Sequence, residues 1–395
     1  MLFGCLAYRA ATIAMNEDSI IHWQEMDEEK SARWRSEKGL PAPKRVQVID
    51  DCMSADSAYR LACEGTALLW RGDFQNARQL LHAMARRADK IKPGKPKQSA
   101  PSPAEAFHRH RLTQSQRARI LEKLLIPFNA DHSIPLRRAP DVHAACLEAG
   151  SSCTEPYVAS LRELLGFIGA HEWRKKGIQI PALGIAIHPH YGVFAPIRNE
   201  YVQLIAQAPL PEPLVAESTA FDIGTGTGVL AAALALRGVR HITATDQDAR
   251  ALNCARDNLT RLNVLNQIEL VQTDIFPPGQ AALIVCNPPW IPARPSSPLE
   301  HAIFDPESRM LRGFLQGLRD HLLPGGEGWL ILSDFAEHLG LRTREELLAA
   351  IDAAHLKVLG KSDVKPHHPR VSDTSDPLHA ARAAELTSLW RLTIQ

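Results

Sequence analysis

VCNPPWIP, residues 285–292, follows an apolar run with an asparagine, two prolines and a tryptophan. Proline cannot extend a strand ladder, so the segment must leave the strand as a stiff loop. Such a loop holds a polar side chain still. Asn287 and the carbonyl of Pro288 are hydrogen-bond acceptors, Pro289 adds stiffness, and Trp290 is a flat apolar platform. Two fixed acceptors beside an indole suit a planar N–H donor such as an amide or an amino-base nitrogen. Its lone pair is delocalised, and acceptors that hold its hydrogens favour pyramidal geometry. Positioning and electrostatics then replace a strong base.

Three acids stand upstream, each at the end of an apolar run. Asp222 precedes the glycine-rich turn of FDIGTGTGVLAAALAL, with Gly224, Thr225, Gly226 and Gly228. The glycines let the backbone bend and approach a ligand. The dinucleotide fingerprint is GxGxxG; here the third glycine falls one residue early and Val229 takes its place. A carboxylate at 222 repels a pyrophosphate and suits an ammonium. Asp246, in ITATDQD beside Gln247, lies about twenty residues beyond the glycines, where an acid takes both hydroxyls of a ribose. Asp274, in LVQTDIF, can accept from an exocyclic amine such as that of adenine, with Ile275 against the ring. Each acid alone reads as a helix cap. In order on three consecutive strands, they describe S-adenosylmethionine, with Asn287 bordering the same site.

The elements that must carry these residues alternate. Strands are expected at 219–223, 241–245, 268–272, 282–286, 328–333, in KVLG and in LWRLTI, with helices between them. That is an α/β, Rossmann-like, seven-stranded and mostly parallel sheet, and such folds bind ligands beyond the carboxyl ends of their strands. LLPGGEGWLIL offers a Pro-Gly-Gly turn before the fifth strand. In FDPESRMLRGFL, Asp305, Glu307 and Arg309 start a helix, as caps or as groups at the pocket mouth.

DIGTGTG, Asp246, TDIF and NPPW together resemble class I S-adenosylmethionine-dependent methyltransferases of the branch with an [N/D]PP[Y/F/W] loop. The resemblance implies that Asn287 and Pro288 accept hydrogen bonds from the target NH2 and that Trp290 stacks on the substrate. HPHYGVFAPIRNEYVQLI resembles the entry segment of HemK-type protein-glutamine methyltransferases and their ribosomal-RNA-modifying relatives. Pro196, Arg198 and Glu200 match its proline-arginine-acid signature as substrate-binding residues, although the spacing is P-x-R-x-E and the loop aromatic is Trp rather than Tyr. The resemblance covers about 185–360.

The rest of the 395 residues divides into an acidic, partly disordered start (1–56), a mainly helical, basic substrate-recognition domain (57–180) and the methyltransferase domain (181–395). Met15 reads as the true start. AYRLACEGTALLW and FQNARQLLHAMARRA read as two amphipathic helices joined by Arg71-Gly72-Asp73, and residues 90–104 as a flexible linker. Residues 71–125 hold thirteen Lys/Arg against four Asp/Glu. That balance suits either an RNA-contacting surface or a solvated helix face. Net charge is +1, which identifies no partner. The seven cysteines form no CxxC pair, so they read as cytoplasmic thiols without a metal site. His367 and His368 suit an anionic substrate better than a metal. No run is long enough to cross a membrane. The expected activity is methyl transfer to a protein glutamine or an RNA base. A small-molecule methyltransferase and a non-catalytic nucleic-acid binder are the alternatives.

Overall fold

In the computed structural model the described residues are 20–90, 102–151, 154–295, 298–367 and 373–395. Met15, Cys5, Cys153, His368 and most of the expected linker lie outside them. The chain divides into two compact units, Met1–Gly94 with Ser115–Ile168, and Lys95–Gln114 with Gly169–Gln395. The second unit thus begins before residue 181 and takes in part of the basic segment.

The first unit holds β1 (Ile20–Glu25), β2 (Glu28–Trp34), β3 (Val46–Ile49), α1 (Ala55–Cys63), β4 (Ala67–Trp70) and α2 (Phe74–Asp89). There follow α3 (Pro103–Leu121), whose first part belongs to the other unit, then β5 (Leu124–Phe128), α4 (His143–Glu148), β6 (Tyr157–Ser160) and α5 (Leu161–Lys176), whose second half belongs to the other unit. Its six strands form one sheet in the order β1-β2-β6-β5-β4-β3. Residues 57–180 are richest in helix, but they also supply strands to a six-stranded sheet that the sequence does not announce, and the acidic start forms a hairpin from Ile20. Acidic composition hid an alternation: Ile21 and Trp23 are buried while Ile20, His22 and Gln24 face water. Residues 58–70 are likewise not one helix. Leu68, Leu69 and Trp70 are fully buried between β3 and β5, and an apolar run covered on both sides belongs in a central strand.

The second unit continues with β7 (Ile178–Ile180), β8 (Ile185–Ile187), α6 (Glu200–Gln207), α7 (Glu212–Glu217), β9 (Thr219–Ile223), α8 (Val229–Leu236), β10 (His241–Asp246), α9 (Ala249–Arg261), β11 (Ile268–Gln272) and β12 (Ala281–Cys286). After the loop come α10 (Arg309–His321), β13 (Leu322–Ser333), α11 (Phe335–His338), α12 (Arg344–Ala353), β14 (Leu356–Val364), α13 (His379–Ala384) and β15 (Thr387–Ile394). The seven-stranded sheet runs β11-β10-β9-β12-β13-β15-β14, parallel except for β15. β12 shows how it is built. Leu283 and Val285 pack with α6 and α8 on one face, while Ile284 and Cys286 pack with α10 and α12 on the other. Alternate residues of a strand point to opposite faces, so a strand covered on both sides is apolar throughout. The Pro-Gly-Gly expected as a turn before the fifth strand lies inside β13, where the register with β12 shifts. No helix of the described residues is long and apolar enough to cross a membrane.

Candidate active site

The sheet register brings the candidate residues to one level. Ile223 pairs with Thr245 on one side and with Cys286 on the other. Beyond this level Gly224 and Asn287 leave the sheet, while Asp246 ends β10, still paired with Gln272 of β11. The order β10-β9-β12 therefore sets the glycine turn between the ribose-type acid and the NPPW loop.

The turn is held by its own residues. Thr225 N donates to Thr245 O (2.7 Å), and Gly226 N donates to Asp246 Oδ2 (3.0 Å). Gly226 has φ +55°, with nothing within 4 Å of the place a Cβ would occupy, so its backbone faces open space. Gly228 has φ +81° and lies so close to α9 that a Cβ would stand 3.2 Å from the Ala255 Cα. The buried Asn258 adds a clamp: its Nδ2 donates to Thr227 O (3.0 Å), and its Oδ1 accepts from His188 N (2.8 Å).

Asp222 is fully buried. Its Oδ2 accepts from Thr225 Oγ1 (2.7 Å) and Ala231 N (3.0 Å), while its buried Oδ1 has no partner. Loss of water pushes this carboxyl up to about 6, against the two hydrogen bonds that favour its charge. Asp246 is also raised, chiefly by burial; its Oδ1 accepts from Asp248 N (2.9 Å). Gln247 beside it is exposed, and its carbonyl accepts from Gln272 Nε2 (3.1 Å). Asp274 is exposed and pairs with Arg309 at the start of α10. Ile275 is half-buried and fixed by its carbonyl, which accepts from Thr245 Oγ1 (2.8 Å).

In the NPPW loop Pro288 is buried, and Asn287, Pro289 and Trp290 are half-buried. Trp290 Nε1 donates to Asn287 Oδ1 (2.8 Å). The Arg198 guanidinium lies over the indole, 5.2 Å from the ring centroid. The entry segment is thus brought to the NPPW loop, with Pro196 buried in it. Arg198 itself is engaged by Glu200 (3.1 Å) and, through two nitrogens, by Glu385 (3.0 and 3.3 Å).

Of two further carboxylates in this region, Asp305 takes the cap role expected of it and Glu385 escapes a reading of motifs. Asp305 is buried and caps α10, accepting from Met310 N (3.0 Å) and Leu311 N (3.1 Å). Its position before an apolar helix signals a cap. Glu385 lies nearly two hundred residues from Arg198 in sequence, and nothing local marks it as that residue's partner. His367 is exposed.

Residues 184–342 match the methyltransferase small domain family. The match spans the glycine turn, all three acids, the entry segment and the NPPW loop. Among curated relatives, the release factor glutamine methyltransferase of Cereibacter sphaeroides is 38% identical over 127 residues, 31% of this chain and 41% of that protein. That of Shewanella oneidensis is 31% identical over 176 residues, 41% of this chain and 60% of that protein. The ribosomal protein L11 methyltransferase of Clostridium perfringens is 34% identical over 91 residues, 22% and 28% of the two chains. The chain thus spans less than two thirds of each of these relatives.

Proposed function

We propose that the chain is an S-adenosylmethionine-dependent N-methyltransferase whose acceptor is a planar amide nitrogen of a protein. The arrangement of Asn287, the glycine turn and Asp246 at one level of the sheet carries this reading. The residues fit the cofactor: the unpartnered buried oxygen of Asp222 suits an ammonium, Asp246 a ribose, and the open face of Gly226 a closely approaching ligand. When bound, S-adenosylmethionine supplies an electrophilic methyl group.

The chain's own residues prepare the acceptor. Asn287 Oδ1 accepts the Trp290 N–H and keeps a second lone pair for a substrate N–H. The Pro288 carbonyl takes the other hydrogen. Two acceptors hold the amide nitrogen in place and favour its pyramidal form. The prolines prevent the loop from relaxing, so the polar groups need not reorganise during the reaction. Trp290 gives the planar amide a surface to stack on.

A protein amide is preferred over an RNA base on two grounds. The relatives with the greatest coverage are named for release factor glutamine. In the basic segment, Arg71, Arg87 and Arg117 are paired with Glu25, Asp56 and Asp89, which reduces the charge left for phosphates. Asn287→Ala tests the reading: turnover should fall by about 10²- to 10³-fold, the usual loss for one site-fixing polar group. Cofactor affinity should stay within about threefold. Full turnover in that variant refutes the proposed role of the NPPW loop.

A further inference from the structure

Arg198 resembles a substrate-binding residue by its place in the entry segment, yet its surroundings assign it another task. All three of its donor nitrogens lie on carboxylates: Nε on Glu200, Nη1 and Nη2 on Glu385. Glu385 is 3% exposed, and its Oε1 also accepts from Ser333 Oγ (2.6 Å) at the end of β13. The neighbouring backbone is fastened to the same strand end. Leu386 N donates to Asp334 Oδ1 (2.7 Å), and Asp334 N donates to Leu386 O (3.1 Å). Glu385, between α13 and β15, is therefore an acceptor fork fastened to the end of β13, and the planar guanidinium that matches it is fixed in turn. Over the Trp290 indole this guanidinium restrains the ring whose N–H reaches Asn287.

We propose that Arg198 and Glu385 are positioning residues for the methyl-transfer site, holding the Trp290 indole so that its N–H orients the Asn287 amide oxygen. The proposal rests on the NPPW loop being that site. The indole donor has a specific consequence: it selects which end of the Asn287 amide is presented, because only the oxygen accepts. A phenylalanine keeps the ring surface and lacks the donor. The chain Ser333–Glu385–Arg198–Trp290–Asn287 thus connects the end of β13, where the antiparallel β15 begins beside it, with the loop after β12.

The test uses the full chain labelled with 15N-tryptophan. The Trp290 indole cross-peak is identified by its loss in Trp290→Phe, and turnover is measured on a protein fraction with labelled cofactor. In Arg198→Ala the cross-peak should move to the position of a water-exposed indole and exchange at least tenfold faster. Over the same change kcat should fall about tenfold, with KM and cofactor affinity within about twofold. Arg198→Lys keeps the charge without the fork and should recover part of the rate. Because Arg198→Ala leaves Glu385 buried without its cation, the double variant Arg198→Gln, Glu385→Gln provides a neutral pair of similar shape with the same expected shifts. An unmoved Trp290 cross-peak in the folded variants overturns the proposal. So does a loss confined to KM, which makes Arg198 a substrate contact. If wild-type protein transfers no methyl group, the reading of the site fails, and the indole signal alone decides whether Arg198 and Glu385 hold Trp290.

Discussion

Asp222 should make cofactor binding depend on pH in the acidic range. It is fully buried, its Oδ1 has no partner, and its carboxyl is raised from 3.8 to about 6. An ammonium of the ligand should bind the ionised form. With that value, about nine tenths of the carboxyl is ionised at pH 7 and about one tenth at pH 5, so affinity should fall roughly tenfold between them. An α-amino group stays protonated across this range. Stability of the ligand-free protein should move the opposite way. Between about 4 and 6 the folded state holds a proton that the unfolded state has released. Asp222's contribution to stability therefore falls as pH rises through that window and is flat above it. A carboxyl moved from 3.8 to about 6 carries about 3 kcal/mol across that window. Titration calorimetry with S-adenosylmethionine gives the affinity, and urea unfolding from pH 4 to 8 gives the stability. Asp222→Asn should bind at least tenfold more weakly at pH 7 and lose, in both assays, the share of the pH dependence that Asp222 contributes. Parallel pH profiles for wild type and Asp222→Asn would refute the reasoning.

Three further outcomes follow from the same geometry. Gly228→Ala forces a Cβ to 3.2 Å from the Ala255 backbone at φ +81°, and should cost about 1–3 kcal/mol in urea unfolding; an unchanged midpoint would mean that α9 yields. Asp305→Ala removes two acceptors from the start of α10 and should cost about 1–2 kcal/mol, with Asp305→Asn losing less. Equal losses in the two would point to charge rather than capping. Arg309→Ala breaks an exposed pair with Asp274, so the unfolding midpoint should shift by no more than about 0.5 kcal/mol. Cofactor affinity should change by more than twofold if Asp274 meets the adenine amine, and an affinity equal to wild type would remove Asp274 from the site.

The parallel strands could be read from the sequence because burial on both faces makes them apolar runs that end in polar residues. β12, AALIVC followed at once by Asn287, shows this directly. The same rule explains a failure. Leu68-Leu69-Trp70 is also such a run, but it is four residues from a helix with no proline between them, and it merged with that helix on reading. The β1–β2 hairpin was hidden because only one residue in two is buried while the other half supplies acid. In the site, the acids and the NPPW loop were legible because each stands at or just beyond the carboxyl end of its strand. The partners that hold them were not. Glu385, Ser333 and Asn258 meet Arg198, Glu385 and Thr227 only through the fold, at separations that no local period reveals.

The central claim is methyl transfer to a protein amide. Its most direct measurement combines the full chain and methyl-labelled S-adenosylmethionine with an extract of cells lacking the protein. Samples are treated with ribonuclease or protease, and labelled polypeptide is hydrolysed in acid. The label should survive ribonuclease, be lost with protease, and leave as volatile methylamine on hydrolysis, because an N-methyl amide breaks at its carbonyl. Label destroyed by ribonuclease, or label that stays on a non-volatile amino acid, would contradict it.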